Sequence, residues 1–311
     1  MKFWKGRKLW IGLSLILLLI FLYLGGPAEI TEAIMGANSK AIFLALIASL
    51  IGIFSNSLVW LYGMYISGAR ISLREAIHSY SAGMVASILL PFADVPGDIV
   101  RIWMFKRSKR RFNAAIKSSI LCRICFSVPT ITSLIYLLFL HLLPFTWMTA
   151  FLIWPAMICT LLILLFLPKM SASLSLYLSK LKHFQHDRAQ KLLRNIYLGS
   201  KGLKFNDILF YWGLGHVDML FDILTYFFSL LAIGVYANLP QILMTYVLIT
   251  YFYLIPLPIP GGIGVAELYL SFVYSLHLIP LAKSSAAAIV TRVVRFWIPL
   301  LAGYLITLAS K

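Results

Sequence analysis

The side chains able to do chemistry are few in this chain and fall in a handful of places. Arg292 and Arg295 stand three residues apart, Asp218 and Asp222 four apart, and Asp98 and Arg101 three apart. Glu267 follows the glycines Gly261, Gly262 and Gly264. Side chains three or four apart share one face of a helix, so each pair aims two charges the same way. Arginine stays charged in almost any surroundings, and its planar fork matches the oxygens of a phosphate. Carboxylates inside an apolar chain either pair with a cation or take up a proton. The chemistry these residues suit is therefore anion binding with charge compensation.

Arg101, Arg292, Arg295, Gly261, Gly262 and Gly264 are the candidates for substrate binding. Asp98, Asp218, Asp222 and Glu267 are the candidates for ion pairing or proton coupling. Glycines permit positive φ and close backbone approach, and the N–H groups of a helix start can hold an anion. Glu267, in the first turn of the helix that follows, is favoured by the helix dipole by about 0.3 to 1 kcal/mol. It would oppose an anion unless a basic neighbour neutralised it. The plainer reading of the same charges is structural, with Asp218 or Asp222 paired to Arg292 or Arg295. His216 sits two residues before Asp218 and points elsewhere, while His78 and His277 read as interfacial.

Other chemistry is absent from the sequence. There is no G-x-S-x-G, no H-E-x-x-H and no nucleotide-binding glycine loop. An aspartyl protease needs two carboxylates converging from different elements, and Asp218 and Asp222 lie on one. Cys122 and Cys125 form a C-x-x-C inside an apolar run, where packing is the expected role, and Cys159 lies in another. No disulfide, metal or cofactor is expected, and the chain does not read as an enzyme. A lipid-modifying transferase and an accessory membrane subunit of a glycolipid pathway are the alternatives.

The elements that must position these residues are membrane helices. The 311-residue chain is 61% hydrophobic and 12% charged, and its apolar runs approach the roughly 20 residues a spanning helix requires. The expected fold is all-α, a polytopic integral membrane protein. A formal charge of +17 in a soluble protein would suggest nucleic acid. Here the basic residues fall between apolar runs, so they report orientation, and nucleic acid is not expected as a partner.

Taken in order, Lys2, Lys5, Arg7 and Lys8 precede an apolar run from Leu9 to Leu24, read as a retained first helix rather than a signal peptide. Glu29, Glu32 and Lys40 mark an external segment. Spans are expected at about 41–66, 114–141, 147–167, 207–236 and 286–308. Residues 76–92 are apolar but carry His78, Ser79, Ser81, Gly83 and Ser87 and break at Pro91 and Pro96. Both flanks are basic, so this segment is predicted to enter from the cytoplasm and return. Residues 242–278, broken by PLPIPGGIGVAE, should do the same from outside. That makes about six spanning helices and two re-entrant hairpins, with both termini cytoplasmic in the plasma membrane. Between Lys169 and Lys204, apolar residues recur at helical spacing among eight basic ones. Residues 169–204 therefore read as an amphipathic helix on an anionic lipid surface, with a partner-binding or solvated helix as the alternative.

The two breaks resemble one another. Leu90, Pro91 and then Pro96, Gly97, Asp98, Ile99 parallel Ile255, Pro256 and then Pro260, Gly261, Gly262, Ile263. Hairpins opening to opposite faces would make half-repeats of inverted topology, at roughly 41–168 and 207–311. Interrupted segments at matching places in two halves point to a transporter's substrate site.

PLPIPGGIGVAE, with Pro258, Pro260, Gly261, Gly262, Gly264 and Glu267, resembles the signature of the flippase-like lysylphosphatidylglycerol synthase transmembrane family. PGDIVR, with Gly97, Asp98 and Arg101, resembles that family's first-half motif, and Arg292, Arg295, Trp297, Pro299 and Gly303 resemble its last helix. The resemblance covers nearly the whole chain and implies movement of polar lipids or lipid-linked sugars between leaflets. It also implies a stand-alone member without the soluble aminoacyl-transfer domain. The partners expected are a membrane lipid substrate and the anionic surface at 169–204, with a homo-oligomer as a further association.

Overall fold

Helix starts are written into the local sequence, and the computed structural model shows them in place. It describes residues 2–90, 95–142, 155, 157–162, 204–254 and 259–309. Before Ser39, the Asn38 side-chain oxygen accepts the N–H groups of Lys40 and Ala41 at 3.0 and 3.3 Å, which satisfies donors a helix start leaves without partners. Ser72 and Glu75 cap each other reciprocally at 2.8 and 3.2 Å, and Asn238 and Gln241 do so at 2.9 and 3.1 Å. These are capping boxes or their amide equivalents.

Among the described residues the regular elements are all helical. They are α1 (Lys2–Gly25), α2 (Pro27–Met35), α3 (Ser39–Ile66), α4 (Leu73–Leu89), α5 (Val95–Met104), α6 (Lys109–Leu142), α7 (Phe205–Ala232), α8 (Leu239–Leu254), α9 (Val265–Ser275), α10 (Leu281–Arg292) and α11 (Ile298–Ala309). A short 3-10 turn, Pro260–Gly262, precedes α9, and a π-helical turn, Val293–Trp297, joins α10 to α11. Among the described residues, four helices are long and apolar enough to cross a membrane: Ser39–Ile66, Lys109–Leu138, Phe205–Ala232 and Leu281–Leu308. The pair Gly12–Gly25 and Pro27–Met35, bent by 75°, makes a fifth if counted as one span. The chain is a polytopic helical membrane protein. The expected span at 147–167 is described only at 155 and 157–162, which are helical, and the basic segment 169–204 lies outside the described residues except for Lys204. The segment after Gly26, expected only as external, is itself helical and buries Ile30.

The chain divides into two units. The first comprises residues 1–54, 77–101 and 220–311. Its centre is α10, which packs against α1, α2 and α9. Ser284, Ser285, Ala286, Ala287 and Ala288 of α10 are all buried. Small side chains let helix backbones approach closely, which is how helices pack where lipid tails are as apolar as leucine. A Cβ at Gly25 of α1 would meet the Ser285 hydroxyl at 2.7 Å, and Ser285 shares a 2.9 Å hydrogen bond with Ser271 of α9.

In this unit α4 and α5 pack against each other as the two arms of a helical hairpin. A Cβ at Gly97 of α5 would lie 2.5 Å from the Gly83 carbonyl of α4. Arg101 stacks over the Tyr80 ring at 4.7 Å, so contacts move down α4 as they move up α5 and the two run antiparallel.

The second unit comprises residues 55–76 and 102–219. Here α3, α6 and α7 meet around Trp60, which is wholly buried. Ser118 of α6 donates to the Trp60 carbonyl at 3.3 Å. Gly63 lies so close to α6 and α7 that a Cβ would meet the Tyr211 hydroxyl at 2.6 Å, and a Cβ at Gly215 would meet the Cys125 carbonyl at 2.7 Å. Tyr62 donates to Asp207 at 2.7 Å. Cys122 and Cys125 are buried free thiols in this packing.

Candidate functional site

Glu267 is the residue around which the proline-glycine loop is arranged. Its Oε2 accepts the Gly264 N–H at 2.7 Å and caps α9. Its Oε1 accepts from Arg292 Nε at 2.7 Å. Arg292 Nη2 reaches on to the Gly261 carbonyl, also at 2.7 Å, and the guanidinium stacks on the Phe296 ring 3.8 Å away. Both charges are buried, with 3% and 8% of their side chains exposed. Burial of two charges costs several kcal/mol each and is tolerated only where pairing and hydrogen bonding are this complete.

The glycines have steric reasons. Gly261 and Gly264 adopt φ of +61° and +85°, a region closed to most L residues. A Cβ on Gly261 would run into Phe296, and one on Gly264 into the Ser14 and Leu18 backbone of α1. Ser14 in turn donates to the Ile263 carbonyl at 2.6 Å. Residues 261–264 of the loop are thus clamped between α1, α9 and the end of α10, with the Gly261 and Ile263 carbonyls and the Gly264 N–H each held by a side chain.

Arg295 serves a different partner set. Its Nη2 lies 2.7 Å from Asp222 Oδ1 of α7, and its Nη1 donates to the Tyr226 hydroxyl. This pair is more open, with 28% and 20% of the two side chains exposed. Arg295 lies inside the π turn, a rare widening of a helix that often marks functional positions. The widened turn is tied to a neighbouring span, since Ser49 of α3 donates to the Val294 carbonyl at 3.1 Å. A polar strip continues beside it, where Tyr274 and Thr291 share a 2.8 Å hydrogen bond.

Arg101 is buried on the α4–α5 hairpin, 3.6 Å from Asp98. A Cβ on Gly261 would come within 3.4 Å of the Ile88 carbonyl. The two broken segments that resemble one another in sequence therefore touch within one unit, at Gly261 and the end of α4. Gly303 of α11 packs on α4 as well, with a Cβ there 3.0 Å from Met84 and Val85.

Of the charges singled out by spacing, Arg292, Glu267 and the glycines form one cluster, Arg295 and Asp222 a second, and Asp98 and Arg101 a third. Asp218 belongs to the other unit, within electrostatic reach of Cys125. In that unit His216 takes part in a buried network: its Nδ1 hydrogen bonds the Trp212 carbonyl at 2.7 Å and its Nε2 the Thr132 hydroxyl at 3.0 Å. His277 hydrogen bonds Thr245 at 2.9 Å. Ser14, Tyr226 and Phe296 were not legible as site residues. Each is an ordinary apolar-helix residue whose importance comes from a partner far away in sequence. Among the described residues no group of histidine, cysteine or acidic side chains could hold a metal ion.

Two comparisons bear on this arrangement. A UPF0104 membrane protein of Pyrococcus horikoshii is 24% identical to this chain over 337 aligned positions, covering 98% of this chain and 97% of the relative. A family model described as the lysylphosphatidylglycerol synthase TM region matches residues 9–303, taking in the loop at Pro256–Glu267, the α4–α5 hairpin and both arginines of the last span. This chain belongs to the lysylphosphatidylglycerol synthase TM region family.

Proposed function

We propose that this protein moves a polar, phosphate-bearing lipid between the two leaflets of the membrane. The observation that carries the proposal is the meeting, in one helical unit, of two proline-glycine breaks beside buried cations. A headgroup crossing roughly 30 Å of hydrocarbon needs a charge-compensated path. Intramembrane charges and broken helices are how a protein supplies one. The family's name refers to lysylphosphatidylglycerol, a lipid of this chemical class.

Within that reading the three clusters divide the work. Arg292 and Glu267 hold the loop. Arg295, the more exposed arginine, offers its fork to the headgroup phosphate in exchange for Asp222, and Asp222 is left to take up a proton. Arg101 stands at the first hairpin as a further phosphate ligand. The two hairpins enter the membrane from opposite faces as halves of an inverted repeat, with six spans in all and both termini cytoplasmic.

Reconstitution tests the reading. Purified protein in liposomes should carry a fluorescent phosphatidylglycerol analogue from one leaflet to the other, and Arg295→Ala should slow it. A probe left on its starting leaflet under every ion gradient refutes transport, and a chemically altered probe points to a transferase. A cysteine placed beside Lys283 that labels only from the cytoplasm refutes the outward hairpin.

A further inference from the structure

We infer that the second unit carries a separate phosphate-binding cleft at the basic ends of α3 and α6. It is assembled entirely from residues 65–70 and 108–111, apart from the clusters of the first unit. Its walls are Tyr65, Gly68, Ala69, Arg70, Ser108, Arg110 and Arg111, around an open volume of about 510 Å³. Small-ligand sites typically fall between roughly 300 and 1,000 Å³.

Local structure explains how three arginines come to share one cleft. α3 ends in a Schellman turn, with the Gly68 N–H bonded to the Tyr65 carbonyl at 3.0 Å and the Ala69 N–H to the Met64 carbonyl at 2.9 Å. Gly68, at φ +90°, reverses the chain and delivers Arg70 to the rim. The opposite wall is the start of α6, a 34-residue helix. Its preceding residue Ser108 takes the Phe112 N–H on its carbonyl at 2.8 Å, and its hydroxyl accepts the Arg111 N–H at 3.4 Å. Arg110 bridges the two walls, donating from Nε to the Gly68 carbonyl at 2.9 Å. That contact pins the guanidinium across the cleft and leaves its two terminal nitrogens for a ligand.

All three guanidiniums are exposed at the cleft, where an anion can reach them. Arg111 is matched by Glu75 at 3.0 Å. Arg70 and Arg110 make no ion pair among the described residues. Two arginine forks beside a hydroxyl and the positive end of a long helix make a donor set for phosphate oxygens. Because α3 and α6 are both spans, their ends place the cleft at the membrane edge, within reach of a lipid headgroup as well as of soluble phosphate. The assignment does not rest on the transport reading.

The test is binding of two probes to the full-length protein in nanodiscs of phosphatidylcholine. Bound phosphatidylglycerol is counted by native mass spectrometry, and inorganic phosphate is titrated by calorimetry. Arg70→Ala with Arg110→Ala should weaken one probe by at least about tenfold. Arg74→Ala with Arg107→Ala removes the same charge from outside the cleft and should leave that affinity within about twofold of the parent. Loss confined to phosphatidylglycerol identifies a lipid headgroup as the ligand, and loss of inorganic phosphate binding identifies a soluble anion. Arg70→Ala alone, which breaks no contact to Gly68, keeps the test valid if the double variant folds poorly. Equal losses in cleft and control variants, or no binding of either probe, overturns the site.

Discussion

Replacing Glu267 by alanine should destabilise the first unit far more than the loss of one hydrogen bond would suggest. The carboxylate closes two circuits at once, the cap on Gly264 and the pair with Arg292. Removing one partner of a buried pair typically costs about 3 to 5 kcal/mol, because the remaining charge stays buried without compensation. Losing a cap adds about 1 kcal/mol. Arg292 is only 3% exposed, so it cannot turn to water without breaking its contacts to Gly261 and Phe296. Glu267→Gln should fall between, since its amide oxygen still accepts one of the two donors. The assay is a double-mutant cycle with Arg292→Met, read as reversible unfolding in mixed detergent micelles. Strong coupling is expected, with the double variant more stable than the sum of the singles allows. Single costs below about 1 kcal/mol, or simple additivity, would show that the pair does not hold the loop.

Gly264→Ala should disrupt the loop by pressing a methyl group into the α1 backbone at Ser14, beyond the roughly 1 to 2 kcal/mol of left-handed strain alone; thermal unfolding followed by size-exclusion chromatography reports it, and an unchanged midpoint counts against the clamp. Asp222→Asn should lower lipid movement in liposomes about tenfold, or about 1.4 kcal/mol in barrier, while changing stability little because the pair is part-exposed; wild-type transport in this variant removes Asp222 from the mechanism. The Glu75 carboxyl is held below its usual range, first by the Ser72 backbone N–H and then by Arg111. Its stabilisation of the α4 start is therefore present above the ordinary value of 4.5 and lost as pH falls through the lowered one. Hydrogen-exchange protection in the first turn of α4, taken relative to the intrinsic rate at each pH, should fall over that acid range in wild type and be already low at neutral pH in Glu75→Gln.

Much of this could be read from the chain itself because the determinants are local. Long apolar runs must be helices in lipid, where each peptide group needs an internal partner. The caps at Asn38, Ser72 and Asn238, which the structure shows, are equally local, since their side chains reach only a few residues. The proline-glycine break at Pro256–Glu267 marks itself as a loop needing protein cover for the same reason. Spacing also brought Asp222 and Arg295 forward as potential partners, since charges at that depth must be matched.

Partner choice belonged to the tertiary structure. Arg292 and Arg295 are three residues apart and look equivalent, yet Arg292 turns to Glu267 and Arg295 to Asp222. Helical spacing assumes a regular turn, and the π turn at Val293–Trp297 changes the angular step between these side chains. Nor does a glycine reveal what crowds it: Phe296 against Gly261, and the α1 backbone against Gly264, lie outside any local window. Composition and spacing determine that charges are buried and that helices break, because those costs are paid residue by residue. Which charge meets which depends on the packing of helices far apart in sequence, and only the folded chain brings those together.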